Sequence, residues 1–115
     1  MNGRLLQYGR WGALIEESEI LAMRAESLQD SDTRSSRELH GQAAALVEEA
    51  LPLIPNEKFI FEPYAAFIVS AIVLYYKAGN FVAAKRVIGE YGNKVENDYH
   101  IGKLEEIVVL LGEEQ

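Results

Sequence analysis

Residues 59 to 91 read FIFEPYAAFIVSAIVLYYKAGNFVAAKRVIGEY, and the fold follows from how this stretch is parsed. From Tyr64 to Tyr76 the run is apolar except for Ser70. A bilayer-spanning helix needs about 20 apolar residues, so a run this short, closed by Glu62 and Lys77, predicts a buried core helix from Glu62 to Lys77. Pro63 suits its first turn, where the missing N–H costs nothing. A helix apolar on nearly all sides must be covered on nearly all sides. Gly79 then supplies the left-handed residue that ends helices, and Asn80 can cap the next one. The second helix, Phe81 to Tyr91, places Phe81, Ala84, Val87, Ile88 and Tyr91 on one face and Lys85, Arg86 and Glu90 on the other. Gly92 and Asn93 stop it.

Outward from this hairpin, the same three- and four-residue spacing recurs. Trp11, Leu14, Ile15, Ser18, Leu21, Ala22, Ala25 and Leu28 predict an amphipathic helix from Trp11 to Leu28, with Glu16, Glu17, Glu19 and Glu26 on its wet face. Gln29 to Ser36 is polar and aperiodic, and reads as a loop whose Ser or Asp residues cap the next helix. That helix, Ser36 to Leu51, presents Leu39, Ala43, Leu46, Val47, Ala50 and Leu51, and Pro52 and Pro55 end it. Phe59 to Phe61 reads as an extended lead-in, since no second strand exists to pair with it. A last helix from Asp98, its cap, to Leu111 should bury Ile101, Leu104, Ile107, Val108 and Leu111. The expectation is a single all-α domain of about five antiparallel helices.

Composition narrows the function. At 115 residues the chain can bury one core. Its net charge of -7 repels a phosphate backbone. Only Arg34, Arg37, Lys85 and Arg86 could form a basic patch against that balance. The absence of cysteine excludes disulfides, a thiol nucleophile and a Cys-based zinc site. MNGRLLQYGRW at the start has no signal-peptide pattern, so a cytoplasmic location is expected.

Two Gly-x-aromatic turns, Gly9-Arg10-Trp11 and Gly79-Asn80-Phe81, open helices 70 residues apart, near twice the roughly 34-residue tetratricopeptide period. Around the second turn, Tyr75, Tyr76, Gly79, Asn80, Phe81 and Ala84 resemble the middle of a tetratricopeptide unit. Ala84 permits close helix approach there, and the flanking rings fill the angle between helices. Ala50, Leu51, Pro52, Pro55 and Asn56 resemble the close of such a unit. The match is best over residues 50 to 91, and it departs in a long central helix and in Ile72 at a position where the family favours a small residue. The resemblance implies an array of α-α hairpins that binds proteins or peptides. About three units make such arrays self-sufficient, and about two and a half are present, so self-association through an unfinished end near Leu5, Leu6, Tyr8 or the last helix is expected.

Catalytic patterns are missing. Glu96 and His100 share an i, i+4 spacing, but two ligands leave a metal site half built. The adjacent acids Glu16-Glu17, Glu48-Glu49, Glu105-Glu106 and Glu113-Glu114 point about 100° apart and do not converge, which leaves them the role of keeping outer faces wet. No phosphate-binding glycine loop, nucleophile elbow or His-Glu-x-x-His motif is present. The sequence therefore predicts a non-catalytic interaction module without cofactor or metal, which binds neither membrane nor nucleic acid and pairs with a protein, a peptide or its own copy. Tyr8, Trp11, Tyr64, Tyr75 and Tyr99 are the candidate partner-binding residues, with Trp11 and Tyr99 expected to be the more exposed. The alternative is a regulatory bundle that holds an apolar ligand along Phe67 to Tyr75.

Overall fold

The computed structural model describes residues 8–55, 63–96 and 98–113, and among them it is all helical, with five α-helices and no strand. These are α1 (Arg10–Leu28), α2 (Thr33–Ala50), α3 (Pro63–Lys77), α4 (Phe81–Tyr91) and α5 (Asp98–Glu113). Short 3₁₀ turns follow α2 at Leu51–Leu53 and α4 at Gly92–Lys94. The expected lead-in at 59–61 and the apolar Leu5 and Leu6 lie outside the described residues.

The α3–α4 turn and the start of α2 have chemical causes. The α3–α4 turn is a paired C-cap: Asn80 N–H donates to the Tyr75 carbonyl at 3.0 Å and Gly79 N–H to the Tyr76 carbonyl at 2.9 Å. That geometry requires a left-handed residue, and Gly79 has φ +78. Asn80 then accepts from Ala83 N–H at 3.1 Å and starts α4 at Phe81. Asp32 does the same for α2, accepting from Ser35 N–H at 3.1 Å. This cap shortens the expected loop: helix begins at Thr33, three residues before Ser36, because an aspartate at position 32 satisfies an amide that the aperiodic sequence otherwise leaves open.

Packing runs along the chain. α1 lies on α2, α2 on α3 and α3 on α4, while α5 returns to α3. The molecule measures 40 × 32 × 20 Å, and its smallest dimension is two helix diameters. Ile15, Leu51, Ile68, Ile72 and Val87 are its largest fully buried side chains, drawn from all of the first four helices or their ends. Ala43, Ala44, Ala71 and Ala84, all at zero exposure, set the close approach between elements. Tyr76 and Phe81 flank the turn with ring centroids 5.5 Å apart.

Three expectations are corrected. Glu16 is buried rather than on the wet face of α1, on the same arc as Gly12 one turn earlier, which is buried too. Glu48 and Glu49 do not merely solvate α2. Glu49 pairs with Arg10 of α1, and Glu48 accepts from Tyr75 Oη at 2.7 Å and from Arg86, clamping α2 to α3 and α4. Leu39 and Leu46 are half-buried, and the inner stripe of α2 is instead Ser36, His40, Ala43, Ala44, Val47 and Ala50.

Candidate functional site

The fifth helix is the part of the fold whose apolar face is not spent. Ile101, Leu104, Ile107, Val108 and Leu111 share the spacing of a buried stripe, yet Leu111 alone is fully buried. Val108 is 47% exposed, Val109 61% and Leu110 36%, which corrects the expected burial of Val108. The physical reason lies in the neighbours: α5 rests on α3 through the smallest of the contacts between paired helices, and its flank toward α4 is open.

That flank is a groove. One part, about 320 Å³, is bounded by Lys85 and Ile88 of α4 and by Val108, Leu111 and Gly112 of α5. The other, about 530 Å³, is bounded by Gly92 and Val95 after α4 and by Ile101, Leu104, Glu105, Val108 and Val109. Val108 belongs to both, so the two form one trough along α5. Gly102 and Gly112 leave open space where a side chain would stand, so another backbone can approach α5 closely. The trough is basic at the Lys85 end, acidic at the Glu105 end and apolar between them. A surface of this kind suits an amphipathic helix laid in a groove.

The residues expected to bind a partner divide. Tyr8 and Tyr99 are exposed, at 45% and 67%. Trp11 is not: it is 6% exposed, stacked on Tyr8 with centroids 4.9 Å apart and tilted against Phe67 at 6.2 Å. A large ring at the start of α1 fills the space beside α3, which overturns its expected exposure. Tyr64 and Tyr75 are buried as well. Burial and the Glu48 hydrogen bond push the Tyr75 phenol up to about 12, while Arg86, then Tyr75, holds the Glu48 carboxyl below its usual range. These tyrosines lock helices together and present no ring to a partner. Tyr99 stands on α5, with its ring edge-on to His100 and Lys103 over its face.

Along Phe67 to Tyr75, where the alternative reading would place a ligand, Ile68, Ala71 and Ile72 have no exposure, and the trough among the described residues lies along α5. The four basic residues do not converge. Arg34 pairs with Glu38, whereas Arg86 is bound to Glu48, fourteen residues farther along α2 than Arg34 and about 21 Å away at 1.5 Å per residue. Among the described residues no cluster of three potential metal ligands occurs, and no helix is long and apolar enough to cross a membrane. Comparison of the chain with protein-family models, with curated proteins and with solved structures finds no match.

Two features escaped the sequence reading. The trough was missed because a three-four apolar pattern shows that a face wants cover without showing what covers it. His40 was missed because a histidine among small residues reads as polar, although its spacing from Ser36, Ala43, Ala44 and Val47 puts it on the inner stripe.

Proposed function

We propose that the chain is a small non-catalytic interaction module of tetratricopeptide-like hairpins, which associates with a second copy by laying α5 of each in the α4–α5 trough of the other. The carrying observation is the half-open trough beside the exposed Val108 and Val109. The order of contacts, α1 on α2, α2 on α3, then α3 on both α4 and α5, is what stacked hairpins give, and the open flank of α5 is the surface that a partner α5 would cover.

Charge selects the occupant. In an antiparallel pairing with its two-fold axis at Val108, Glu105 of one copy falls opposite Leu111 of the other, beside Lys85 at the basic end of the trough. The symmetry repeats the contact, so each acidic end meets a basic end. An unrelated partner helix would have to reproduce that polarity.

Sedimentation velocity between 10 and 100 µM tests this. Wild type is expected to shift toward dimer over that range, Val108→Lys to remain monomeric, and Lys85→Glu to weaken association. The double variant Lys85→Glu with Glu105→Lys should restore it. A wild type that stays monomeric at 100 µM, or a charge swap that restores nothing, overturns the pairing.

A further inference from the structure

A second cleft lies where α1 turns into α2. His40 is 2% exposed, and its Nε2 sits 3.0 Å from Glu26 Oε2. The same oxygen accepts from Lys77 Nζ at 2.9 Å. Lys77 first, then His40, holds the Glu26 carboxyl below its usual range, so Glu26 is an acceptor and His40 Nε2 carries the proton toward it. His40 Nδ1 is then buried with no hydrogen-bond partner among the described residues. Buried polar atoms are rarely left so, and Nδ1, as the acceptor nitrogen, calls for a donor such as the P–OH of a hydrogen phosphate.

The cleft beside it, about 290 Å³, is bounded by Gln29, Thr33, Ser36, Arg37, His40 and Lys77. Two cations and no carboxylate stand in this lining, in a chain of net charge -7. The hydroxyls of Thr33 and Ser36 already donate to the carbonyls of Gln29 and Ala25, which fixes their positions. Arg37 makes no ion pair or hydrogen bond among the described residues, so its planar fork is available for two parallel hydrogen bonds. Lys77 has one contact to Glu26 and keeps further N–H donors.

We propose that this cleft binds a small tetrahedral oxyanion, a phosphate group above all, gripped by Arg37 and Lys77. Its size suits a small phosphorylated molecule, being at the lower edge of the roughly 300–1,000 Å³ usual for ligand sites. Lys77 and Arg37 supply donors to the oxygens of the anion, and His40 Nδ1 offers an acceptor to its hydroxyl.

The test is an NMR titration of the full chain with inorganic phosphate, with sulfate and with acetate, at constant ionic strength set by chloride. Phosphate and sulfate are expected to give saturable shifts at the Thr33–Arg37 amides and the His40 ring. Sulfate, which carries no hydroxyl near neutrality, should bind more weakly than phosphate. Arg37→Gln should weaken both at least tenfold while leaving thermal stability unchanged, since that side chain holds nothing else in place. Unsaturable shifts up to tens of millimolar, acetate binding as well as phosphate, or an unaffected Arg37→Gln variant overturns the site.

Discussion

Two glycine substitutions should move stability in opposite directions, and the difference isolates the α3–α4 turn. At Gly79 an added Cβ would meet nothing within 4 Å, so sterics with neighbours contribute no cost. Its φ of +78 does contribute: an L-residue in the left-handed region costs about 1–2 kcal/mol. The smaller conformational freedom of alanine in the unfolded chain returns about 0.4–1 kcal/mol, so Gly79→Ala should destabilise by about 1 kcal/mol net. Gly89 lies inside α4, and its Cβ would also meet nothing within 4 Å. There alanine carries no backbone strain and should stabilise by about 0.5–1 kcal/mol. With an unfolding entropy of about 2.1 cal/mol/K per residue over 115 residues, 1 kcal/mol corresponds to about 4 °C. The midpoint should therefore fall by about 4 °C for Gly79→Ala and rise by about 2–4 °C for Gly89→Ala. Thermal and urea unfolding by circular dichroism at one low protein concentration reads both without a contribution from association. A Gly79→Ala variant as stable as wild type would refute the left-handed cap as the reason for glycine at this position.

Two further perturbations probe the core and its polar clamp. Ile72 has no exposed surface in the middle of α3, so Ile72→Ala should cost about 2–5 kcal/mol in urea denaturation; a loss below about 1 kcal/mol would mean that α3 is not the packed centre. Tyr75 has a folded pKa raised to about 12, above the ordinary value of 10.0, so it stays protonated while the unfolded chain ionises. Its contribution is complete below pH 10 and is lost as pH rises from 10 toward 12, which Tyr75→Phe should remove. Tyrosinate absorbance in the folded protein, with one phenol titrating near 12 only when Tyr75 is present, checks the assignment.

How much could be read in advance depended on the range of the cause. The bounds of α4 were legible because both its signals, Asn80 before Phe81 and Gly92 after Tyr91, are local. The start of α3 at Pro63 was legible for the same reason. The start of α2 was displaced because QDSDTRSS holds several residues that can cap, and the choice of Asp32 among them depends on the backbone it meets. Trp11, Glu48 and Glu49 were misread because their partners Phe67, Tyr75, Arg86 and Arg10 lie far away in sequence. Local periodicity carries no information about such pairings. Of the candidate sites, α5 was recognised as an apolar helix near an unfinished end, while the trough and the His40 cleft needed the neighbouring elements in place.

The open trough follows from the same excess of apolar surface that makes α3 the centre. A helix apolar on nearly all sides needs more cover than α2 and α4 supply, and α5 is drawn back across the intervening chain to provide it. Having turned Leu111, Leu104 and Ile107 toward that core, α5 keeps Val108 at the open edge of the same stripe, half exposed, and turns Val109 to the far side. Folding and association therefore draw on different residues of one helix. A charge at Val108, already about half exposed, should abolish pairing at little cost to the monomer, whereas a charge at Leu111 would unseat α5 from α3. That separation makes the proposed pairing accessible to experiment, because the surface that joins two copies can be changed without dismantling the fold that presents it.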